Sequence, residues 1–396
     1  MNTLHAFDLD IPPLGAQALP AATDHAFQAL RWAELIGPHA IEEIRALSPL
    51  PSTNAGWVEA YLHLGRAARA ADRQFDAAIY ERAAQFFMVG DDPRCLPTRH
   101  RFVSTMRRLF ALSPVRVSCD GADLPAYDLP AQGLAPGEEP RSTWVLFGGF
   151  DSYIEEWFPL LAAIAQRGHR VIAFEGPGQG EVLEEQGVPL TVEWERPVSA
   201  VLDHFGLQEV TLVGLSLGGE LAIRAAAFEP RAARVVAWDV MDDFLDVAMR
   251  QAAPVPSRLG RVLAGLPGGM VNRLLALAGR HSVVQWGLEQ GMRVTGTDSP
   301  AQFLRFAGRL HTREVSAQVR GDVRLLAGAQ DHYVPLAQLP RQVRTLTGAR
   351  SVTTRVFTAA EGCASHCQVG NLGLAVRTIL AWEEPLLPRA AAPQAV

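Results

Sequence analysis

The stretch that most restricts what this chain can become lies between residues 210 and 224. An apolar run, Val210-Thr211-Leu212-Val213, meets Gly214-Leu215-Ser216-Leu217-Gly218-Gly219, and a helical pattern starts near Glu220. The order is strand, sharp turn, helix, with a serine at the apex. Glycines on both sides of Ser216 permit a turn so tight that a Cβ there would strike its neighbours. Such a turn lifts the hydroxyl clear of the sheet and leaves the Leu217 amide facing whatever the oxygen attacks. A Gly-rich turn with an incidental serine is the plainer alternative, and the strand–turn–helix setting favours a nucleophile.

The rest of the chain can be read around that turn. Residues 1–112 pattern as a helical N-terminal domain. Asn54 is placed to cap a helix carrying Trp57, Tyr61, Leu64 and Ala68 on one face, and further helices present Phe75, Ile79, Ala83 and Phe86, then Val103, Met106 and Phe110. From residue 115 the period changes to two, with a hairpin signal at Asp120-Gly121. Residues 113–243 then alternate strand and helix: strands at 143–147, 171–174, 210–213 and 234–240, helices at 155–166 and 194–205. Continuous apolar strands in such alternation predict a mostly parallel sheet covered by helices. The rhythm breaks at residues 244–312, a helical insertion with Trp286, Met292, Phe303 and Phe306, expected to lie over the site as a lid. The sheet resumes in 313–385, with strands at 323–327 and 351–357 and a closing helix at 372–382. Residues 386–396 read as a disordered tail.

Composition removes several alternatives. The net charge is −6 and there is no basic stripe, which argues against a nucleic-acid partner. No apolar run reaches membrane-spanning length, and the start lacks a basic segment followed by an apolar one, so a cytoplasmic protein acting on a small molecule is expected. Four cysteines are too few for a disulfide scaffold. The chain contains no lysine, which excludes P-loop nucleotide binding and lysine Schiff-base chemistry. No cofactor and no metal are expected. Gly176-Pro177-Gly178-Gln179-Gly180 lacks the dinucleotide spacing and loses an amide at Pro177. A metal at Cys363, His366 and Cys367 would consume the one well-placed base. Oligomeric state is not readable; a homodimer is one option.

A serine hydroxyl needs a base within reach, and the base needs a group to hold its tautomer. Asp331 follows the strand 323–327, and His366 stands in the loop after the last strand, giving the order Ser, acid, His at one edge of the sheet. His332 competes as base and Asp239, Asp242 and Asp243 compete as acid. Phe147-Gly148-Gly149-Phe150 follows an early strand, where Gly149 and the Phe150 amide can supply the second half of an oxyanion hole with Leu217. Tyr153, Glu156 and Asp243 are candidate substrate contacts.

The strings GGFDSYIEEW (148–157), FEGPGQGE (174–181), GLSLGG (214–219), AGAQDHYVP (327–335) and EGCASHCQVGN (361–371) resemble those of the α/β-hydrolases grouped with 2,6-dihydroxypseudooxynicotine hydrolase and the fungal polyketide chain-shortening hydrolases. The resemblance covers residues 124–382. It implies an α/β-hydrolase fold with a Ser216–Asp331–His366 triad, and hydrolysis of a carbon–carbon bond beside a ketone or of an ester in a small hydrophobic, aromatic or polyketide-like substrate. An acyltransferase or cyclising enzyme on the same triad is the alternative, followed by a non-catalytic ligand receptor.

Overall fold

The computed structural model describes residues 6–14, 23–47, 51–88, 92–252, 257–278 and 282–387. The expected tail falls outside the described residues from position 388 onward. Eight strands form one sheet: β1 (Val115–Cys119), β2 (Ala122–Leu129), β3 (Thr143–Phe147), β4 (Arg170–Phe174), β5 (Val210–Leu215), β6 (Ala232–Trp238), β7 (Asp322–Gly328) and β8 (Ser351–Phe357). Their order is β1-β2-β4-β3-β5-β6-β7-β8. The hairpin β1–β2 is antiparallel and joins β4 antiparallel; every later pairing is parallel. Every residue of β5 is buried, as a strand covered on both faces requires, whereas the edge strand β1 alternates.

Helices cover both faces. On one lie α1 (Thr23–Ile36), α2 (Pro38–Arg45), α3 (Asn54–Ala70), α4 (Gln74–Phe86) and α5 (Cys95–Phe110), with α6 (Phe158–Ala165) against the sheet. Among the described residues these N-terminal helices share one apolar core with the sheet. Trp32, Trp57, Phe86 and Phe110 belong to the same apolar cluster as Trp144, Phe158 and Leu326 of the sheet side. Short α7 (Gly180–Glu184) precedes α8 (Glu195–His204) and α9 (Leu217–Phe228), which pack on the other face. Residues 244–307 hold α10 (Phe244–Ala252), α11 (Ser257–Gly265), α12 (Gly268–Ala278), α13 (Ser282–Thr295) and α14 (Pro300–Ala307); α15 (Gln338–Thr345) and α16 (Leu372–Glu383) follow. The insertion is pinched at its base, where the Phe244 amide donates to the Leu310 carbonyl at 3.0 Å and the Thr312 amide to that of Asp242 at 3.1 Å. Among the described residues no helix is long and apolar enough to cross a membrane.

Several local expectations shift. Thr53, not Asn54, caps α3, its hydroxyl accepting the Gly56 amide at 3.1 Å. The helix expected over 155–166 opens as a 3₁₀ turn, Ile154–Trp157, before α6. Pro159 at the start of α6 cannot donate to a preceding helical turn, so the break falls there. β6 ends two residues early, at Trp238, where its ladder with β5 stops at the pair Leu215–Trp238. Helices α2, α7 and α15 are additional; at eight, five and eight residues they are too short to declare a period.

Candidate active site

Ser216 sits between β5 and α9 with φ 59° and ψ −123°, a left-handed φ that a non-glycine residue adopts only under constraint. The constraint is local packing. A Cβ on Gly214 would overlap the Gly218 carbonyl, and one on Gly218 would come within 2.7 Å of the Gly148 carbonyl. The Ser216 amide donates to the Trp238 carbonyl at 2.6 Å, tying the turn to the end of β6.

His366 reaches that hydroxyl. Its Nε2 lies 2.8 Å from Ser216 Oγ, and its Nδ1 lies 2.7 Å from Asp331 Oδ2. The other Asp331 oxygen accepts the amides of Tyr333 (2.7 Å) and Val334 (2.9 Å), which fixes the carboxylate plane. Gly328, at the end of β7, lets the histidine loop close on the acid: a Cβ there would strike the carbonyls of Ala364 and Ser365. The competing His332 packs its ring against Tyr333 and Phe27 instead. Of the competing acids, Asp239 approaches Nδ1 to 3.6 Å, whereas Asp242 is paired with Arg341.

Charge follows this geometry. Burial would lower the His366 pKa, but the Asp331 carboxylate outweighs it and raises the imidazole well above its ordinary range. Burial would raise Asp331, and the same pair holds it below the usual carboxylate range. Asp239 is pushed well up, first by burial and then by the neighbouring Asp331 charge. Burial and the charge of His366 bring His332 down to about 4, leaving it neutral at physiological pH.

The Gly148-Gly149 loop packs directly against the turn at Ser216. A Cβ on Gly149 would sit 2.8 Å from the Leu217 nitrogen, so the space before that amide stays open only with glycine here. The loop is braced by Gln179, whose Nε2 donates to the carbonyls of Gly148 (2.7 Å) and Gly149 (3.3 Å). Its Oε1 accepts the Gly176 amide at 3.1 Å. The Gly-Pro-Gly-Gln run thus holds the loop that carries Phe150. Nothing in its spacing announces that task.

Tyr153, Glu156 and Asp243 do not line the cavity over Ser216. Glu156, fully buried, takes Arg31 at 2.7 Å and Arg82 at 2.6 Å, and Arg82 also donates to the Asp151 carbonyl at 2.6 Å. Tyr153 accepts from Gln85 and donates to Glu184 beneath the Arg82 guanidinium. Asp243 is paired with Arg313 and Arg261 at the base of the insertion. In this structure these side chains anchor the loop and the insertion rather than line the cavity over Ser216, where substrate contacts were expected of them.

The cavity holds about 130 Å³, close to what admits one benzene-sized ring. Ser216 and His366 open into it beside Phe150, Met241 and Phe244, with Val284, Trp286 and Phe303 of the insertion opposite. Helix α1 closes a further side with Phe27, Gln28 and Arg31, and Cys367 also contributes. No motif singled out these three residues of the N-terminal region; their trace in the sequence is polar side chains at i, i+3 spacing on an otherwise apolar helix face. Glu34, on the same helix, accepts the amides of Gly370 and Leu372, both at 2.7 Å, just beyond His366.

Residues 145–367, more than half of the chain, match the family model described as the alpha/beta hydrolase fold. The chain belongs to the α/β-hydrolase fold family. This α/β-hydrolase is 33% identical over 287 residues to the hydrolase acrC of Aspergillus aculeatus, covering 65% of this chain and 66% of that one. It is 27% identical over 333 residues to the 20-hydroxy-prefusarin hydrolase FUS2 of Gibberella moniliformis, covering 77% and 78%. It spans just under two thirds of the length of acrC and 62% of that of the poxO hydrolyase of Penicillium oxalicum. Its fold is shared with 2,6-dihydroxy-pseudo-oxynicotine hydrolase, at TM-score 0.58 and 21% identity over 84% of this chain and 88% of that one.

Proposed function

We propose that this α/β-hydrolase is a serine hydrolase acting on a carbonyl of a small hydrophobic substrate, by cleavage of an ester or of a carbon–carbon bond beside a ketone. The reading is carried by the unbroken hydrogen-bond chain Ser216–His366–Asp331, at 2.8 and 2.7 Å, opening into an apolar cavity. Ser216 Oγ attacks the carbonyl carbon as His366 Nε2 takes its proton, and Asp331 stabilises the imidazolium that forms. The amides of Leu217 and Phe150 hold the oxyanion. As the tetrahedral intermediate collapses, His366 returns the proton to the leaving alkoxide or enolate, and water, deprotonated by the same nitrogen, releases the acid. The lining favours aromatic or polyketide-like substrates, in keeping with the prefusarin named for one relative. A substrate larger than one ring requires the insertion to move.

A fluorophosphonate probe is expected to label the wild-type chain at Ser216 and to leave Ser216→Ala unlabelled; equal labelling of both would sink the proposal. Turnover of p-nitrophenyl esters set against β-diketones distinguishes the bond type. Transfer of the acyl group to an internal nucleophile is a second reading, favoured by the apolar lining. It predicts products that carry no oxygen from isotopically labelled water.

A further inference from the structure

Two carboxylates, not one, face His366 Nδ1. Asp331 Oδ2 lies 2.7 Å from it and Asp239 Oδ2 lies 3.6 Å from it. The facing atoms of the three buried residues all fall within 4.8 Å of one another. A cation is a poor account of this cluster, because both ring nitrogens are already engaged, Nδ1 by Asp331 and Nε2 by Ser216. The carboxylates are also occupied: Asp331 Oδ1 by two backbone amides, Asp239 Oδ1 by the Val240 amide (3.0 Å) and Asp239 Oδ2 by that of Cys367 (3.2 Å).

Two carboxylates this close, buried together with a single imidazole, share a proton, since like charges at such range cannot both ionise without cost. The surroundings decide which one carries it. Each carboxylate accepts two backbone amides, but Asp331 has the shorter contact with the imidazole, so it is the anion. Asp239 stands farther from the imidazole, at 3.6 Å, and burial together with the Asp331 charge drives it toward the neutral form. The other titratable groups around His366 are His332, neutral at physiological pH, the Cys367 thiol and Tyr333; α1 presents Phe27 to it.

We propose that Asp239 is a reserve acid, held in the wild-type chain as the neutral partner of Asp331 without serving the imidazole, and that it becomes the carboxylate serving His366 when Asp331 is lost. In that event its proton leaves to solvent and the carboxylate closes the gap to Nδ1. The proposal rests on the serine-hydrolase reading, and Ser216→Ala tests that reading separately. If this variant still turns over ester, the reading beneath has failed rather than the role of Asp239.

The test uses the full chain with p-nitrophenyl butyrate across pH, in Asp239→Asn, Asp331→Ala and the double variant. Alanine is chosen at 331 because the two amides on Oδ1 would turn an asparagine NH₂ group onto Nδ1 and impose the wrong tautomer. Asp239→Asn alone is expected to stay within about threefold of wild type. Loss of the only acid in a triad costs about 10⁴-fold. Asp331→Ala is instead expected to lose about 10²-fold and to keep its acidic limb above 6.5, while the double variant falls the full distance and its limb drops. Equal activity of Asp331→Ala and the double variant overturns the proposal, as does an Asp239→Asn variant as damaged as Asp331→Ala. Should Asp331→Ala not fold, the infrared difference spectrum of wild type against Asp239→Asn decides. A protonated carboxylic acid band present at neutral pH only in wild type is expected, and its absence overturns the proposal.

Discussion

Glu34, in the first helix, accepts the backbone amide of Leu372, the first residue of the last helix, at 2.7 Å, with its other oxygen on Gly370 at the same distance. An acid at a helix N-terminus complements the exposed amides there, and this one is supplied from 338 residues away in the chain. The segment it holds begins four residues after His366. Glu34→Ala is therefore predicted to cost roughly 1–3 kcal/mol for each buried amide left without an acceptor. It should also lower kcat, because the loop carrying the imidazole loosens. Thermal denaturation and turnover together check this, and an unchanged Tm would count against the clamp.

The pH profile of the wild-type enzyme carries a second prediction. Only neutral His366 can take the serine proton, and Asp331 raises its pKa well above 6.5 in spite of burial. Activity should therefore climb with pH along a limb whose midpoint lies above 6.5. A profile of kcat/KM against pH with a midpoint at or below that value contradicts the pairing.

Glu220, one turn beyond Ser216, is fully buried with no partner for either carboxylate oxygen, and burial pushes its pKa up to about 8. A carboxyl whose folded pKa lies above its unfolded value favours the folded state below about 4.5. That contribution fades as pH rises, and is lost once the pH passes about 8. Glu220→Gln abolishes the titration. Relative to wild type, its Tm should gain from pH 5 to about pH 8 and level off above that. Parallel Tm curves for the two chains would refute the assignment.

Gln179 braces the loop proposed to supply the oxyanion donor, on the Gly148 and Gly149 carbonyls, without touching the cavity over Ser216. Gln179→Leu removes both donors to that loop, and the Phe150 amide drifts from its place. Loss of one oxyanion donor typically costs about 10²–10³-fold in kcat, so a fall of about 10²-fold with little change in KM is predicted. Steady-state kinetics with a parallel loss of affinity for a phosphonate transition-state analogue would identify the cause; a rise in KM alone would not fit.

What could be read from the sequence, and what could not, divides on the range of the interaction. The turn at Ser216, the strands around it and the chain order Ser, Asp, His each leave a signature within a few neighbouring residues, because glycine spacing and apolar runs report local backbone geometry. Glu156 leaves none. A charged residue in a loop reads as a solvent or substrate contact, yet it is buried by Arg31 and Arg82, which lie 125 and 74 residues away in the chain. The role of Gln179, and the identity of Phe27, Gln28 and Arg31 as the residues by which the N-terminal region walls the cavity, were hidden for the same reason: their partners are set by tertiary packing. Asp239 lay between these cases. Its position after β6 marked it as a rival to Asp331, but only the fold brings both to one imidazole nitrogen.

The narrow neck of the insertion, where Phe244 meets Leu310 and Asp242 meets Thr312, has an evolutionary corollary. Everything between those two contacts enters and departs through a single doorway. The described helices between them touch the rest of the molecule chiefly through side chains, such as Trp286 on the Phe86 carbonyl and Gln290 on that of Phe150, so changes in this segment need rebuild only those contacts and not the strands that carry Ser216 and Asp331. Substrate range in such an enzyme can be rewritten while its chemistry is inherited unchanged.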